Sequence, residues 1–562
     1  MATAFTRQLG AESGVQLNPL QDNSELASLW DNSDQCLGTM IRSTRGRVDK
    51  PFRVNRGNIY RALGFGENIR VTRLNEAFVH LVEAVNSGTY EAIVQRLVKH
   101  DEVKINYIVI RENKNVDSIT GDVVSYSYDF SVETNVPDSG FMLAIKHLGC
   151  FNDGISVAIH ADENKVGGVK KENTVITLRL FDPKDDAMLF EFTGSLINGT
   201  LDESGSSYYL PDVISAQTDL VIAETGDVFS IPVNLAAVPS PAYGYHLATG
   251  KVLWSKSSVM NYFFEGSTGY DIQDYQTASD KLRYTPLNYG YIASCGSRSI
   301  ALLSQLAQLA FDTNRQLKFD IAGELPVEAA VSFVEQLNMG ASQTAHLIHA
   351  YWTPLTSNDP SGVNSKSYFG TSTLNIAFCN LKNARTNARG FSPKNYPVAG
   401  REFPIRRTRI TQMVDLTDQD LNTLAKAKIN PVVYENYTGG GRYVFRDSLT
   451  CALTETSMKK LISVSDMSTS IDEAVTRFGK DVTHLPMKVA IKRVSDFLTN
   501  LFEGAEASGW LVPAKDPDML AKAWKFTVAA NASRPADRLD INYWLRYDGV
   551  ARQIFVTQTL VM

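Results

Sequence analysis

HLIH (346–349) is the first stretch that could do chemistry, because His346 and His349 are both metal-ligand types. Zinc requires three or four such donors converging on one point. The surrounding run AHLIHAYW (345–352) is strand-like and aromatic-rich, and in a strand positions i and i+3 point to opposite faces. No third ligand is close in sequence, so the spacing argues against a metal centre. SCGSRS (294–299) is the nearest approach to a serine nucleophile turn, but it lacks the G-x-S-x-G pattern. YTGGG (437–441) could cradle phosphate only between a strand and a helix. Here VVYEN and RYVFRD, both strand-like, flank it, so it reads as a hairpin loop. DPKDD (182–186) carries three carboxylates without the spacing of a calcium loop and reads as a solvated turn. No HExxH, no P-loop and no G-x-G-x-x-G after a strand occurs. A Ser-His-Asp arrangement stays open, because its members need not be adjacent, but nothing points to one. The expectation is a protein that is not an enzyme, with no catalytic residues, no cofactor and no metal.

The composition fits that expectation. The 562 residues are 44% hydrophobic and 21% charged, with a net charge of −6. The length implies several domains, and the acidic balance argues against nucleic acid as the main partner. MATAFTRQLGAESG has no apolar run behind a basic segment, so it does not read as a signal peptide. No run of about 18 apolar residues is present to span a membrane. Cys36, Cys150, Cys295, Cys379 and Cys451 are scattered, odd in number and form no CxxC pair, which reads as reduced, mostly buried thiols.

Hydrophobic periodicity then supplies the elements. The basic stretch IRSTRGRVDKPFRVNRG (41–57) reads as a solvated loop or a contact to an acidic partner. Residues 74–99 read as two short helices broken at Ser87-Gly88. The runs 103–112, 125–134, 154–162, 174–182 and 188–196 are strand-like and separated by turn residues. From about 285, helices and strands alternate: a helix over 299–314, a strand over 317–323, a helix opened by Pro326, a strand over 345–352. That is a βαβ layer with a mainly parallel sheet. Thr417 with TDQDL opens another helix. The helix at 485–504 carries one apolar stripe of Met487, Ile491, Val494, Leu498 and Leu501. Lys488, Lys492 and Arg493 lie off that stripe, as a solvated face or a face for an acidic partner.

The last stretch, ARQIFVTQTLVM (551–562), has no charge after Arg552 and is rich in strand formers. Asp548-Gly549 is a strong turn signal. A two-residue loop there would pair 540–547 with 550–557 and leave Gln558, Thr559, Leu560, Val561 and Met562 overhanging. Either a strand of the same chain or a strand of another chain could cover that overhang.

The order of features resembles the contractile tail sheath proteins of bacteriophages and related injection machines, over most of 140–562. The carrying segments are LRLFDPKDDAMLFEFTGSL (178–196) with SSYYLPDVIS (206–215), then YPVAGREFP (396–404), KINPVVYEN (428–436) and GGGRYVFRDSLT (439–450). MSTSIDEAVTRF (467–478) and SRPADRLDINYWLRYDG (533–549) follow. The family often has a Trp-Gly pair before its Arg-Thr-Leu segment. Here Phe445-Arg446 precedes Asp447, Ser448, Leu449 and Thr450, which marks a distant branch. The resemblance implies an α/β core of mainly parallel sheet with helices (26–99 plus 246–440). It further implies an inserted β-rich outer domain (100–245), an α+β C-terminal domain (441–562, ending in an arm strand 550–562) and an N-terminal arm (1–25). The implied function is structural: six-fold rings in a helical stack around an inner tail tube, contracting without ATP to drive the tube through a host cell envelope. Implied partners are copies of itself, the inner tail tube protein, and baseplate and tail terminator proteins, with no nucleic acid and no membrane. The implied location is the virion tail, assembled in the bacterial cytoplasm. The inter-subunit arm would be Gln558 to Met562, and the tube-facing helix would carry Lys488, Lys492 and Arg493. Competing readings are another structural virion protein, such as a tail tube or capsid component, and an α/β hydrolase.

Overall fold

The computed structural model describes residues 32–66, 76–116, 118–119, 123–161, 165–166, 169–170, 175–226, 245–246, 251–252, 255–513 and 522–558. The N-terminal arm and Thr559, Leu560, Val561 and Met562 lie outside these residues.

The largest layer is an eight-stranded sheet. Its strands lie in the spatial order Phe52–Val54, Glu91–Arg96, Cys36–Ile41, Tyr291–Ala293, Gln316–Ile321, Ile348–Trp352, Ile429–Tyr437 and Gly440–Phe445. All neighbours are parallel except the two end strands, which run antiparallel. Parallel strands need a crossover, and helices supply it. Ile300–Thr313 joins the fourth strand to the fifth, and Val327–Leu337 joins the fifth to the sixth. Ser299 caps the first of these helices through its hydroxyl, and Pro326 precedes the second. The strands are buried on both faces: all six positions of Gln316–Ile321 and all five of Ile348–Trp352 are shielded from water. The alternation over 285–352 is therefore the βαβ layer that the sequence reading expects.

Three expectations need correction. The second helix of 74–99 is a strand. Glu76–Ser87 is helical, but Glu91–Arg96 is clamped between Cys36–Ile41 and Phe52–Val54. Its EAIVQR is a run of buried residues with a β-branched pair, which suits a parallel sheet covered on both sides.

The basic stretch 41–57 is solvated only in part: Lys50, Arg53 and Arg56 are exposed, whereas Arg42, Arg45 and Arg47 turn inward. Arg45 is 1% exposed. Its guanidinium bonds Asp182 at 2.7 Å and Asp153 at 2.6 Å, and lies over the Phe151 ring. Arg47 bonds Asp49 and Asp219, and Arg42 bonds Glu265 at 2.6 Å. Asp182 of the DPKDD turn is likewise buried under Arg45, whereas Asp185 and Asp186 stay exposed. Opposite charges across a fold cannot be paired from sequence alone; here 108 and 137 residues separate the partners of Arg45.

The acidic partners belong to a β-rich region. The chain leaves the main sheet after Arg96 and returns at Tyr291. Between them lie two four-stranded sheets. One holds Tyr107–Val116, Val123–Glu133, Leu143–His147 and Val221–Thr225; the other holds Ser156–Ala161, Val175–Phe181, Met188–Ser195 and Ser255–Lys256. Their inner faces share one apolar cluster, including Ile108, Ile145, Val157, Leu178, Phe192 and Tyr262.

The third correction concerns Asp548-Gly549, which does not close a hairpin. The strand Leu539–Leu545 pairs with the upstream strand Trp524–Ala530, Trp524 opposite Leu545 and Ala530 opposite Leu539. Residues 546–548 are held by the segment at 510–512: Val512 N–H donates to Arg546 C=O at 3.0 Å, and Asp548 N–H to Trp510 C=O at 3.0 Å. The Asp548 carboxylate does accept the Gly549 N–H, so the turn chemistry is used locally. The chain then runs outward.

Because Arg45 is enclosed and holds two carboxylates, truncating it strands buried charge. We expect Arg45→Met to lower stability by about 3 kcal/mol, since breaking a buried ion pair from one side is strongly destabilising. The check is the urea unfolding midpoint, and an unchanged midpoint would show that the clamp contributes nothing.

Candidate assembly surface

The places where chemistry was sought are structural. His349 is fully buried in its strand, and burial pushes its pKa down to about 3, so the ring is neutral. Its Nε2 faces the backbone C=O of His346 at 3.2 Å; the two rings share no ligand point. SCGSRS does join a strand to a helix, with Cys295 at φ 48°. Burial pushes that thiol up to about 12, far from an activated nucleophile. The cluster that could hold a cation, His100, Asp271 and Asp274, was not foreseen. The Lys99 ammonium already sits in it, 2.6 Å from Asp271 and 3.2 Å from Asp274. Asp271 and Asp274 also form the capping box of the Ile272–Arg283 helix.

The C-terminal part is built differently. Helix Ile462–Asp481 buries Ser463, Ser465, Asp466, Thr469 and Ser470 together with Met467 and Ile471. Small polar residues on a buried face need polar partners. Asp466 finds them in the main sheet layer: the Tyr291 hydroxyl donates to it at 2.9 Å, and Lys382 Nζ stands at 3.5 Å. Burial alone would raise the pKa of this carboxyl. The charges of Lys382, Lys394 and Lys318 and the Tyr291 hydrogen bond outweigh it and bring it down to about 2. About two turns of helix onward, Glu473 takes a two-pronged contact from Arg315, and Tyr543 donates to Asp472.

Helix Met487–Ala507 packs on this first helix through Val494, Leu498 and Leu501, and through Phe497 stacked on Phe478 with centroids 4.0 Å apart. Met487 and Ile491 are only half-buried. Lys488, Lys492 and Arg493 are exposed on the opposite side, where the helical spacing brings them to one face. On its other flank, Phe502 meets Trp524, Phe526 and Tyr543 of the two-stranded ribbon. The ribbon alternates accordingly: Trp524, Phe526 and Val528 are half-buried against the helix, while Lys525, Thr527 and Ala529 face water. A two-stranded ribbon is marginal by itself; the helix beneath stabilises it. Among the described residues no third strand runs along 524–530 or 539–545. Among those residues neither long edge of the ribbon is paired.

Beside this ribbon, residues 551–558 form no strand and are exposed. Arg552 pins the segment's start to Asp447, with Nε at 2.8 Å. Beyond it Ile554 is 80% exposed, and Phe555 and Val556 are each 89% exposed. Gln558 is exposed as well; the other arm residues lie outside the described part. Residues 551–557, which the sequence reading paired with 540–547 in a hairpin, thus lie outside any strand, as Gln558 does. The anchoring residues Asp466, Lys382 and Lys394 were missed; the only trace was SVSDMSTS, a polar run inside a helix.

No protein-family model matches the chain, and no curated protein does. Solved sheath proteins of contractile particles resemble it. The sheath tail protein of Desulfitobacterium hafniense shares 10% identity at a TM-score of 0.44, covering 95% of this chain and 100% of that one. The PVC sheath complex of an extracellular contractile injection system, in its contracted state, shares 14% at 0.39, covering 50% and 74%. The contracted helical sheath of the anti-feeding prophage shares 14% at 0.38, covering 53% and 77%.

The Asp466 anchor carries a pH signature. Its folded pKa is depressed, so its contribution is complete above the ordinary aspartate value of about 3.9 and is lost as pH falls towards about 2. Asp466→Asn removes that contribution. Unfolding midpoints of the two proteins should differ most above pH ~4 and converge below it; a gap that is constant with pH would contradict the anchor.

Proposed function

We propose that this chain is a structural subunit of a contractile tail sheath and that it assembles by donating the segment from Ala551 onward to another copy. The observation that carries the reading is that exposed segment, rich in strand formers and apolar, following a ribbon along whose edges no third strand runs among the described residues. Unpaired strand-forming segments add to sheet edges, and their backbone groups supply the affinity. Eight residues (551–558) reach about 26 Å at strand rise. Each backbone hydrogen bond is worth about 1 kcal/mol net, and repetition over many subunits multiplies the effect. Head-to-tail contacts of this donor–acceptor kind close into rings where the rotation allows it and otherwise generate open helical arrays. The order of sequence segments from 178 to 549 supports the same reading.

On this proposal, subunits form six-fold rings stacked helically around an inner tail tube, with baseplate and terminator proteins at the ends and the whole in the tail of a particle. The core is 26–99 with 246–440, the outer insertion 100–245, and the C-terminal unit 441–562. No ATP is used; the energy is that of a metastable assembly. Lys488, Lys492 and Arg493 face the tube, where an acidic surface would meet them.

Electron microscopy of the purified protein is the test. Full-length protein should form long hollow cylinders, and removal of 551–562 should leave folded protein that forms none. A monomer that persists at high concentration, or cylinders that form without 551–562, would overturn the reading. Charge reversal at Lys488, Lys492 and Arg493 should weaken docking on an inner tube in a salt-dependent way; docking indifferent to both would leave that face merely solvated.

A further inference from the structure

Lys318 lies in the fifth strand of the main sheet with no exposed surface. A buried ammonium is normally paired with a carboxylate. Among the described residues no carboxylate makes an ion pair with Lys318. Its Nζ instead touches Asn375 Oδ1 at 2.7 Å and the Cys379 sulfur at 3.1 Å, and it lies 5.1 Å from the centre of the Tyr291 ring. Asn375 and Cys379 stand one turn apart on the Ser372–Asn383 helix, which packs on this strand. Cys379 is 1% exposed and a free thiol. Asn375 also accepts the Tyr351 hydroxyl at 3.0 Å, so its carbonyl is fixed and the amine is aimed at the sulfur.

Two of the other cysteines are placed differently. The Cys295 thiol meets Thr39, and that of Cys150 meets the Leu148 carbonyl. All five cysteines are buried, and none is in a disulfide.

We propose that Lys318 and Cys379 form a covalent N–O–S bridge under oxidation by peroxide. The Lys318 ammonium first gives up one proton, leaving the amine that reacts beside the Cys379 thiol. One hydrogen peroxide oxidises the sulfur from S–H to S–OH and leaves as water. A second removes the S–O–H hydrogen and one N–H hydrogen, the N–O bond forms, and two waters leave. Overall two peroxides are reduced, sulfur and nitrogen are oxidised, and three waters are released. A direct S–N bond would need the atoms to close far inside van der Waals contact in a close-packed interior. An inserted oxygen spans most of the 3.1 Å gap without that movement.

The bridge ties a central strand to the helix across it, beside Tyr291 and the Asp466 anchor. It is a modification of the fold's interior and does not depend on the sheath reading.

The first test uses the wild-type chain. Folded protein is treated with hydrogen peroxide, blocked at free thiols, digested and examined by mass spectrometry. The expected product is one cross-linked pair of peptides holding Lys318 and Cys379. Its mass is their sum plus one oxygen and minus two hydrogens, and thiol reductant returns the two parent peptides. The same treatment after unfolding in denaturant should yield none of it, because the 3.1 Å contact is then gone. Recovery of Cys379 as free thiol or sulfinic acid with Lys318 unmodified would overturn the proposal, as would a pair lacking the extra oxygen. A second reading uses stability: oxidised wild type should unfold at higher urea than reduced, a shift that Lys318→Met abolishes. Equal midpoints would show that no strand-to-helix bridge had formed.

Discussion

A carboxylate almost without access to water decides how this chain is arranged. Asp466 sits between the main sheet and the C-terminal helices, met by the Tyr291 hydroxyl and by Lys382. Lys394 adds its charge from behind and is itself paired with Asp34 at 2.9 Å. A buried charge lacking such partners would be prohibitive, so the two parts can dock in one way only. Everything downstream inherits that fixed position: the basic helix face, the ribbon and the exposed segment after Arg552. On the proposed reading, a surface that receives a neighbour's strand has to stand still, and this one is anchored to the main sheet layer through Asp466.

The same device recurs on the other side of the sheet. Arg45, Arg47, Arg42 and Arg96 reach from the main sheet and its loop into the β-rich region. Arg96 donates to the Cys150 carbonyl, Asn152 and Glu265, and Arg61 donates to the Leu189 carbonyl. Arginine suits this work because its planar fork satisfies two acceptors at once and keeps its charge when buried. These bonds tie the β-rich region to the sheet at several points. The proposed sheath reading asks for a subunit that keeps its shape while its links to neighbours bend.

Local pattern carried much of the fold. The helices behind Ser299, Pro326 and Thr417 and the strands between them were legible, because caps, breakers and periodicity are properties of neighbouring residues. The strand pairs around DPKDD and YTGGG were legible for the same reason. What failed was non-local. Glu91–Arg96 has a helix-compatible pattern, and only its two flanking strands make it extended. Asp548-Gly549 has the residues of a hairpin turn, but Trp524–Ala530 offers the Leu539–Leu545 strand a partner that also packs on Phe502. Arg42, Arg45 and Arg47 look solvated until acidic residues more than a hundred positions away are placed beside them. The assembly surface was half legible. Its apolar final segment was conspicuous, while its acceptor edge exists only after the ribbon folds.

The central claim is that one copy's segment from Ala551 onward completes another copy's ribbon. A helical reconstruction of the assembled protein by cryo-electron microscopy tests it most directly. The account expects continuous density for that segment lying as an added strand along 524–530 or 539–545 of a different subunit. Density that folds the segment back onto its own ribbon, with subunits held by other surfaces, would contradict it.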